Sequence, residues 1–120
     1  MKKKSVIDIY NMKKNGELAS WITAYDFPFA SFTEQAGIDM ILVGDSMGMV
    51  VEGYDSTIPV TMDTCIEHCQ AVRRGAPNTF VVGDMPFGSY QVSDEDAAAN
   101  AIRFLKEGGV DAIKLEGGRS

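Results

Sequence analysis

Acidic, hydroxyl and ammonium side chains follow three apolar segments of the chain, where buried strands would end. The segments are "MILVGDS" at 40–46, "TFVVGD" at 79–84 and "DAIKLEGG" at 111–118. Their polar side chains are Asp45, Ser46, Asp84, Lys114 and Glu116. An acid after a strand often forms only a turn, but Val-Gly-Asp occurs in two of the segments, which favours a shared functional site.

The chemistry of these side chains points to a divalent cation. If the segments are parallel strands, Asp45, Asp84 and Glu116 lie on one rim, where three carboxylates repel each other unless a cation sits among them. Oxygen donors without matching His or Cys favour Mg²⁺, which keeps positions open for water and for a bidentate 2-oxo acid. Lys114 would stay an ammonium there and could pair with a substrate carboxylate or an enolate oxygen. Ser46 could also simply cap a turn.

Apolar and charged side chains alternate in the third segment, which indicates a strand with one charged face directed toward a central cavity. Side chains at alternate positions of a strand share a face, so Lys114 and Glu116 point one way, while Ile113 and Leu115 point to the other. A solvent-facing sheet edge would give the same pattern.

Strand and helix patterns alternate along the chain with short connections. Helices are predicted at 5–14, 28–37, 62–75 and 93–109, and strands at 18–26, 39–45, 78–84 and 110–118. Thr61 and Ser93 are suited to cap the helices that follow them. The alternation indicates an α/β fold with parallel strands. A doubly wound open sheet and part of a (βα)₈ barrel both fit, and both bind ligands at the carboxyl ends of strands.

The segment 46–60 is longer than most connections between a strand and a helix. Gly48 and Gly53 would give it hinges, whereas Met47, Val50 and their neighbours are too apolar to favour open solvent. We expect this loop to fold over a site or against another subunit.

Composition excludes several functions. The 120 residues are 45% hydrophobic and 23% charged, with a net charge of −6, which is typical of one globular domain and makes nucleic acid an improbable partner. The sequence shows neither an apolar run long enough to span a membrane nor the apolar core of a signal peptide, so we expect a cytoplasmic protein.

Cys65, His68 and Cys69 lie close together on a predicted helix but do not form a zinc motif. A structural zinc site takes four ligands, and His68 is off the stripe shared by the two cysteines. We therefore expect core free thiols and a surface histidine. The glycine pairs at 108–109 and 117–118 lack the spacing of a dinucleotide site.

Longer motifs make the sequence recognisable. "ITAYDFPFA", "GDSMGMVVEGYDST", "VGDMPFGSYQ" and "NAIRFLKEGGVDAIKLEGG" resemble the ketopantoate hydroxymethyltransferases over residues 5–118. The resemblance implies a Mg²⁺-dependent, homodecameric (βα)₈ TIM barrel. Its members transfer a hydroxymethyl group from 5,10-methylenetetrahydrofolate to 3-methyl-2-oxobutanoate, giving 2-dehydropantoate in pantothenate biosynthesis.

The resemblance also implies roles for individual residues. Asp45 and Asp84 serve the metal, with Glu116 in its shell, and the 2-oxo acid contacts Asp45, Ser46, Asp84 and Lys114. The bound metal makes the C3 proton acidic, a base removes it, and the resulting enolate attacks the methylene carbon of the folate.

A (βα)₈ barrel takes about 250 residues, so residues 1–120 correspond to the N-terminal half of one barrel domain, with four strands and an N-terminal helix. We expect the general base, a glutamate, and most of the folate contacts to lie beyond Ser120, and we assign no catalytic residue within the chain. Two other functions stay open. One is a phosphoenolpyruvate mutase or isocitrate lyase type of enzyme, against which the "GYDST" motif argues; the other is a truncated, non-catalytic binding module.

Overall fold

The computed structural model describes residues 3–116, which form a four-stranded parallel sheet with helices. The strands are β1 (Trp21–Thr23), β2 (Met40–Val43), β3 (Phe80–Asp84) and β4 (Ala112–Lys114). Their order in the sheet is β1-β2-β3-β4, the same as in the chain. A doubly wound sheet reverses its order at a switch point, whereas a barrel does not. The uninterrupted order therefore fits a partial barrel.

Within residues 3–116, five helices connect and flank these strands: α1 (Val6–Lys14), α2 (Phe27–Gln35), α3 (Met47–Val50), α4 (Met62–Gly75) and α5 (Asp94–Lys106). The predicted caps Thr61 and Ser93 are confirmed, since each side chain accepts a hydrogen bond from a backbone N–H in the first turn. Asp26, predicted as the end of a strand, instead caps α2 by accepting from the Phe29 N–H. No helix in the described part of the chain is both long and apolar enough to cross a membrane.

The first and fourth strands are shorter than predicted, with three residues each. The prediction for the fourth strand extended to Gly118, and its last two residues lie outside the described residues. The core lies between the sheet and its helices, because α4 packs on β2 and β3 while α5 packs on β4. Its fully buried side chains include Ile41, Val43, Val72, Cys69, Val81 and Phe104.

Arg73 organises the end of the sheet opposite the carboxyl termini of the strands. Its guanidinium donates to the carbonyl oxygens of Gly109 (2.8 Å), Ala76 (3.1 Å) and Thr79 (2.9 Å), and to Asp111 Oδ2 at 2.6 Å. One planar cation thus joins the C-terminus of α4 to the loops that enter β3 and β4. The described sheet is consequently braced at its base, away from the polar rim.

Gly83 allows α5 to pack directly on β3 beside Asp84. A Cβ at this position would lie 2.5 Å from Cδ1 of Phe104, whose side chain is fully buried. We expect Gly83→Ala to lower the free energy of unfolding by about 1 to 3 kcal/mol, since overpacking forces neighbouring side chains out of their rotamers. Chemical denaturation measures this change. Adding Phe104→Leu should recover part of the loss, and strictly additive effects of the two substitutions would contradict the proposed clash.

Within the described sheet, β1 and β4 each pair with one neighbour only. Unpaired strand edges promote association between chains, so we expect the 120-residue chain to be marginally stable and to self-associate as its concentration rises. Ile22→Lys on the edge strand β1 should reduce self-association in sedimentation velocity. Ile102→Lys on α5 is a matched control, because the two isoleucines are similarly exposed, at 44% and 54%. A monodisperse wild-type monomer that unfolds cooperatively would refute this expectation.

Candidate active site

The ends of three adjacent strands bring Asp45, Asp84 and Lys114 together. Asp84 ends β3 and is the register partner of Lys114 on β4, whose Nζ lies 3.8 Å from Asp84 Oδ2. Asp45 follows β2, and its backbone N–H donates to the same oxygen at 3.4 Å. We call this group the rim cluster. The rim cluster contains two carboxylates and one ammonium, at the carboxyl ends of the strands as predicted from the sequence.

Electrostatic repulsion acts on the rim cluster. Asp84 is only 3% exposed, and burial, followed by the charge of Asp45, raises its pKa to about 6, although Lys114 opposes the shift. Burial alone would lower the pKa of Lys114. However, its hydrogen bond with Glu116 and the charges of Asp84 and Asp45 raise that pKa, so the side chain is an ammonium at neutral pH. The cluster therefore favours an additional positive charge near the two aspartates.

Glu116 contacts the rim cluster through the ammonium of Lys114. Its Oε1 lies 3.2 Å from Lys114 Nζ, and its side chain is 67% exposed. Among residues 3–116, no three His, Cys, Asp or Glu side chains converge closely enough to hold a metal ion. Two carboxylates nevertheless suit Mg²⁺, which commonly takes one or two protein carboxylates and fills its other positions with water and substrate. The chemistry of Asp45 and Asp84 thus fits the ion, and metal binding by Asp45, Asp84 and Glu116 stays a prediction.

Ser46 is held by a residue that follows β1 and that was not among the site residues predicted from the sequence. The hydroxyl groups of Tyr25 and Ser46 are hydrogen-bonded at 2.7 Å. Ser46 precedes α3, but its side chain makes no capping hydrogen bond to that helix. The alternative role predicted for Ser46, a simple turn cap, is therefore not observed. Tyr25 lies just beyond the carboxyl end of the first strand, and Asp45 and Asp84 lie at the carboxyl ends of the second and third. This shared position is the sequence signal that could have identified Tyr25 as a site residue.

His68 also differs from expectation. It was predicted as a surface histidine, but its side chain is only 17% exposed, and Nδ1 lies 2.6 Å from the carbonyl oxygen of Tyr25. Nε2 lies 3.5 Å from Oε1 of Glu52 in the long loop. The histidine is drawn inward because α4 packs against α2 and β2, which brings it beside the Tyr25 carbonyl between β1 and α2, and helical periodicity does not report such a tertiary contact.

The loop at 46–60 begins with the short helix α3, which the sequence did not predict. Met47 is fully buried, whereas Met49 and Val50 are 47% and 70% exposed. Gly48 is not a hinge, because a Cβ there would lie 2.3 Å from Cγ2 of Val60 and close packing explains the glycine. Between this loop and α4 lies a cleft of about 560 Å³, with Tyr25, Glu52, Tyr54 and His68 among its lining residues.

The loop after β3 fixes the end of β4. The Tyr90 hydroxyl donates to the Glu116 carbonyl at 3.0 Å and accepts from the Glu116 N–H at 3.1 Å. Ser89 is 5% exposed, and its carbonyl accepts from the Asn100 amide on α5. These contacts hold the backbone two residues beyond Lys114, so the "MPFGSYQ" motif supports the rim cluster.

The two cysteines are free and buried, as predicted. Burial, followed by the charges of Asp45 and Asp84, raises the pKa of Cys65 to about 12. Burial likewise raises the pKa of the Cys69 thiol. Neither thiol is therefore a nucleophile at neutral pH, and Cys65 lies close enough beneath the rim cluster to sense its negative charge.

Comparison with known proteins assigns the family. The model of the ketopantoate hydroxymethyltransferase family matches residues 3–120. The chain belongs to this family. It is 74% identical over 117 residues to the 3-methyl-2-oxobutanoate hydroxymethyltransferase of Alkaliphilus metalliredigens and 60% identical over 116 residues to that of Desulfotalea psychrophila. The matches cover 98% and 97% of this chain but 42% of each relative, so the chain spans about two fifths of their length.

Solved structures confirm the fold. Phosphonopyruvate hydrolase, solved with oxalate and Mg²⁺, superposes with a TM-score of 0.69 at 18% identity, over 83% of this chain and 34% of its own. 2,3-Dimethylmalate lyase, a member of the phosphoenolpyruvate mutase/isocitrate lyase superfamily, gives 0.69 at 17% identity, over 91% and 39%. The fold is thus an α/β barrel of which this chain forms a part. The competing enzyme class shares that fold, whereas sequence places the chain with the hydroxymethyltransferases.

The raised pKa of Asp84 gives a pH-dependence with a definite sign. The folded chain holds this proton more tightly than the unfolded chain, so the stability contributed by Asp84 is greatest below the ordinary pKa of 3.8 and falls until about pH 6. In EDTA at neutral pH, Asp84→Asn should therefore be more stable than wild type by on the order of 1 to 3 kcal/mol.

Denaturation curves from pH 4 to pH 7 measure this difference, which should shrink towards the acidic end. Asp96→Asn is the matched control, because it makes the same chemical change at an exposed position in the first turn of α5. Equal stability of the Asp84→Asn variant and wild type throughout this range would contradict the raised pKa.

Proposed function

We propose that this chain forms the magnesium-binding and 2-oxo-acid-binding part of a 3-methyl-2-oxobutanoate hydroxymethyltransferase. The reaction transfers a hydroxymethyl group from 5,10-methylenetetrahydrofolate to 3-methyl-2-oxobutanoate and gives 2-dehydropantoate, in pantothenate biosynthesis. The observation that carries this proposal is the convergence of Asp45, Asp84 and Lys114 from three strands. Family membership supplies the substrate, and the rim cluster supplies groups of the right charge to bind it.

Asp45 and Asp84 would hold Mg²⁺, and Glu116 would lie near it. Burial of Asp84 and the charge of Asp45 both disfavour the ionised form of Asp84, and a divalent cation between the two carboxylates would offset this penalty. When bound, the ion supplies Lewis-acid polarisation of the 2-oxo acid, which makes the neighbouring C3 proton more acidic. This role also suits the oxygen-only character of the two side chains, since hard cations prefer such ligands.

Lys114 and Ser46 would orient the 2-oxo acid. The Lys114 ammonium is 40% exposed at the rim, where it can pair with the substrate carboxylate, and Ser46 carries a hydroxyl beside Asp45 that can donate to the same group. Fixing the carboxylate end leaves C3 at a defined position for proton removal and for attack on the folate methylene. The general base is a glutamate that we place beyond Ser120, together with most folate contacts.

The proposal extends to the homodecameric assembly that the family resemblance implies and to the cytoplasmic location expected from the sequence. For the 120-residue chain alone it specifies binding without turnover, because none of the residues assigned here is the base. In this respect the chain would behave as a binding module derived from an enzyme.

Isothermal titration of 3-methyl-2-oxobutanoate into the 120-residue chain tests the proposal. Wild type should bind with Mg²⁺ and fail to bind in EDTA. Asp84→Asn should weaken binding by at least about tenfold, because a charged ligand group is removed. Asp96→Asn should bind like wild type.

The expected stability of the Asp84→Asn variant separates loss of binding from unfolding. Binding that persists in EDTA, or that is equal in the Asp84→Asn variant and wild type, would overturn the assignment of the rim cluster.

A further inference from the structure

A chain of polar contacts runs from α4 to Ser46 without touching the rim cluster. His68 on α4 contacts the carbonyl of Tyr25, and the Tyr25 hydroxyl contacts Ser46. A carbonyl oxygen only accepts hydrogen bonds, so His68 Nδ1 must carry a proton and donate it. The ring is thereby fixed in one orientation, with Nε2 directed to Glu52.

We propose that His68 is a positioning residue that fixes Tyr25 and, through the Tyr25 hydroxyl, fixes Ser46 for contact with the 2-oxo acid. This inference rests on the proposed function and adds two residues to it. His68 lines the cleft beside the long loop, and none of Asp45, Asp84 or Lys114 does so. The histidine therefore acts through Tyr25 and not by touching the substrate.

The direction of the second hydrogen bond completes the argument. A phenol is a stronger hydrogen-bond donor than an aliphatic alcohol because it is more acidic. We assign the Tyr25 hydroxyl as the donor and the Ser46 oxygen as the acceptor. The hydrogen of Ser46 is then left to donate to a substrate carboxylate oxygen, which forms the stronger, charge-assisted bond.

Glu52 couples this chain to the long loop. Its Oε1 is 3.5 Å from His68 Nε2, a contact that is attractive when both ring nitrogens carry a proton, so the imidazolium that donates to Tyr25 also holds a residue that follows α3. Ser46 lies at the start of that loop and is consequently restrained from both sides. A residue that only filled the core would not need these directed contacts.

The tautomer of His68 gives the first test, because it is the only histidine in the chain. At alkaline pH, where imidazole is neutral, ring ¹⁵N NMR of the full 120-residue chain should show the proton on Nδ1. A ring protonated mainly on Nε2 would overturn the inference, because Nδ1 could then not donate to Tyr25.

Binding of 3-methyl-2-oxobutanoate with Mg²⁺ gives the second test. His68→Leu and Tyr25→Phe should each weaken binding by about tenfold. His68→Asn should bind close to wild type, since its amide nitrogen can replace Nδ1 as donor. Glu67→Gln, a neighbouring substitution in the cleft wall, is the control and should change nothing.

A double-mutant cycle separates positioning from a general structural role. In a Ser46→Ala background, His68→Leu should cause little further loss of binding, because its effect is transmitted through Ser46. Additive losses would overturn the role of His68. Absence of binding by the wild-type chain would instead refute the proposed function and this inference with it, whereas an Nε2-protonated ring with normal wild-type binding would refute the role of His68 alone.

Discussion

The repulsion between Asp45 and the buried Asp84 is the constraint on which the site depends. Two carboxylates at the ends of adjacent strands disfavour each other, and burial increases the effect because less water screens the charges. Lys114 on the next strand compensates in part, and Tyr90 holds the end of that strand in place. Parallel pairing of β2, β3 and β4 enforces this arrangement, since the register sets Asp84 beside Lys114. The sheet thus holds together groups that would separate in a flexible chain.

Local signals predicted much of the fold. Thr61 and Ser93 cap their helices through contacts within three residues, and continuous apolar runs mark the strands whatever their neighbours are. The rim cluster was also predictable, because parallel strands share one end and Val-Gly-Asp marks two of those ends. Local sequence patterns fit both a barrel and a doubly wound sheet. The order of the strands in the sheet was needed to distinguish the two architectures.

Features that depend on distant contacts were not predictable. His68 was expected at the surface, yet it is bonded to a carbonyl 43 residues away in sequence. Helix α3 forms where Gly48 packs against Val60, a contact between two ends of the same loop. Tyr25 looked like part of a strand, and only the fold shows its hydroxyl at Ser46. In each case the residue type is compatible with several environments, and tertiary packing selects one.

The Arg73 contacts give the two ends of the sheet different electrostatic characters. At the base, the Arg73 guanidinium of α4 donates to four carbonyl oxygens and to Asp111, so positive and negative groups are matched within the chain itself. Among the described residues at the rim, the carboxylates of Asp45, Asp84 and Glu116 outnumber the ammonium of Lys114. Changes in ionic strength or divalent cation concentration therefore act mainly on the rim. The base therefore presents paired charges to the solvent, whereas the described part of the rim presents an excess of negative charge.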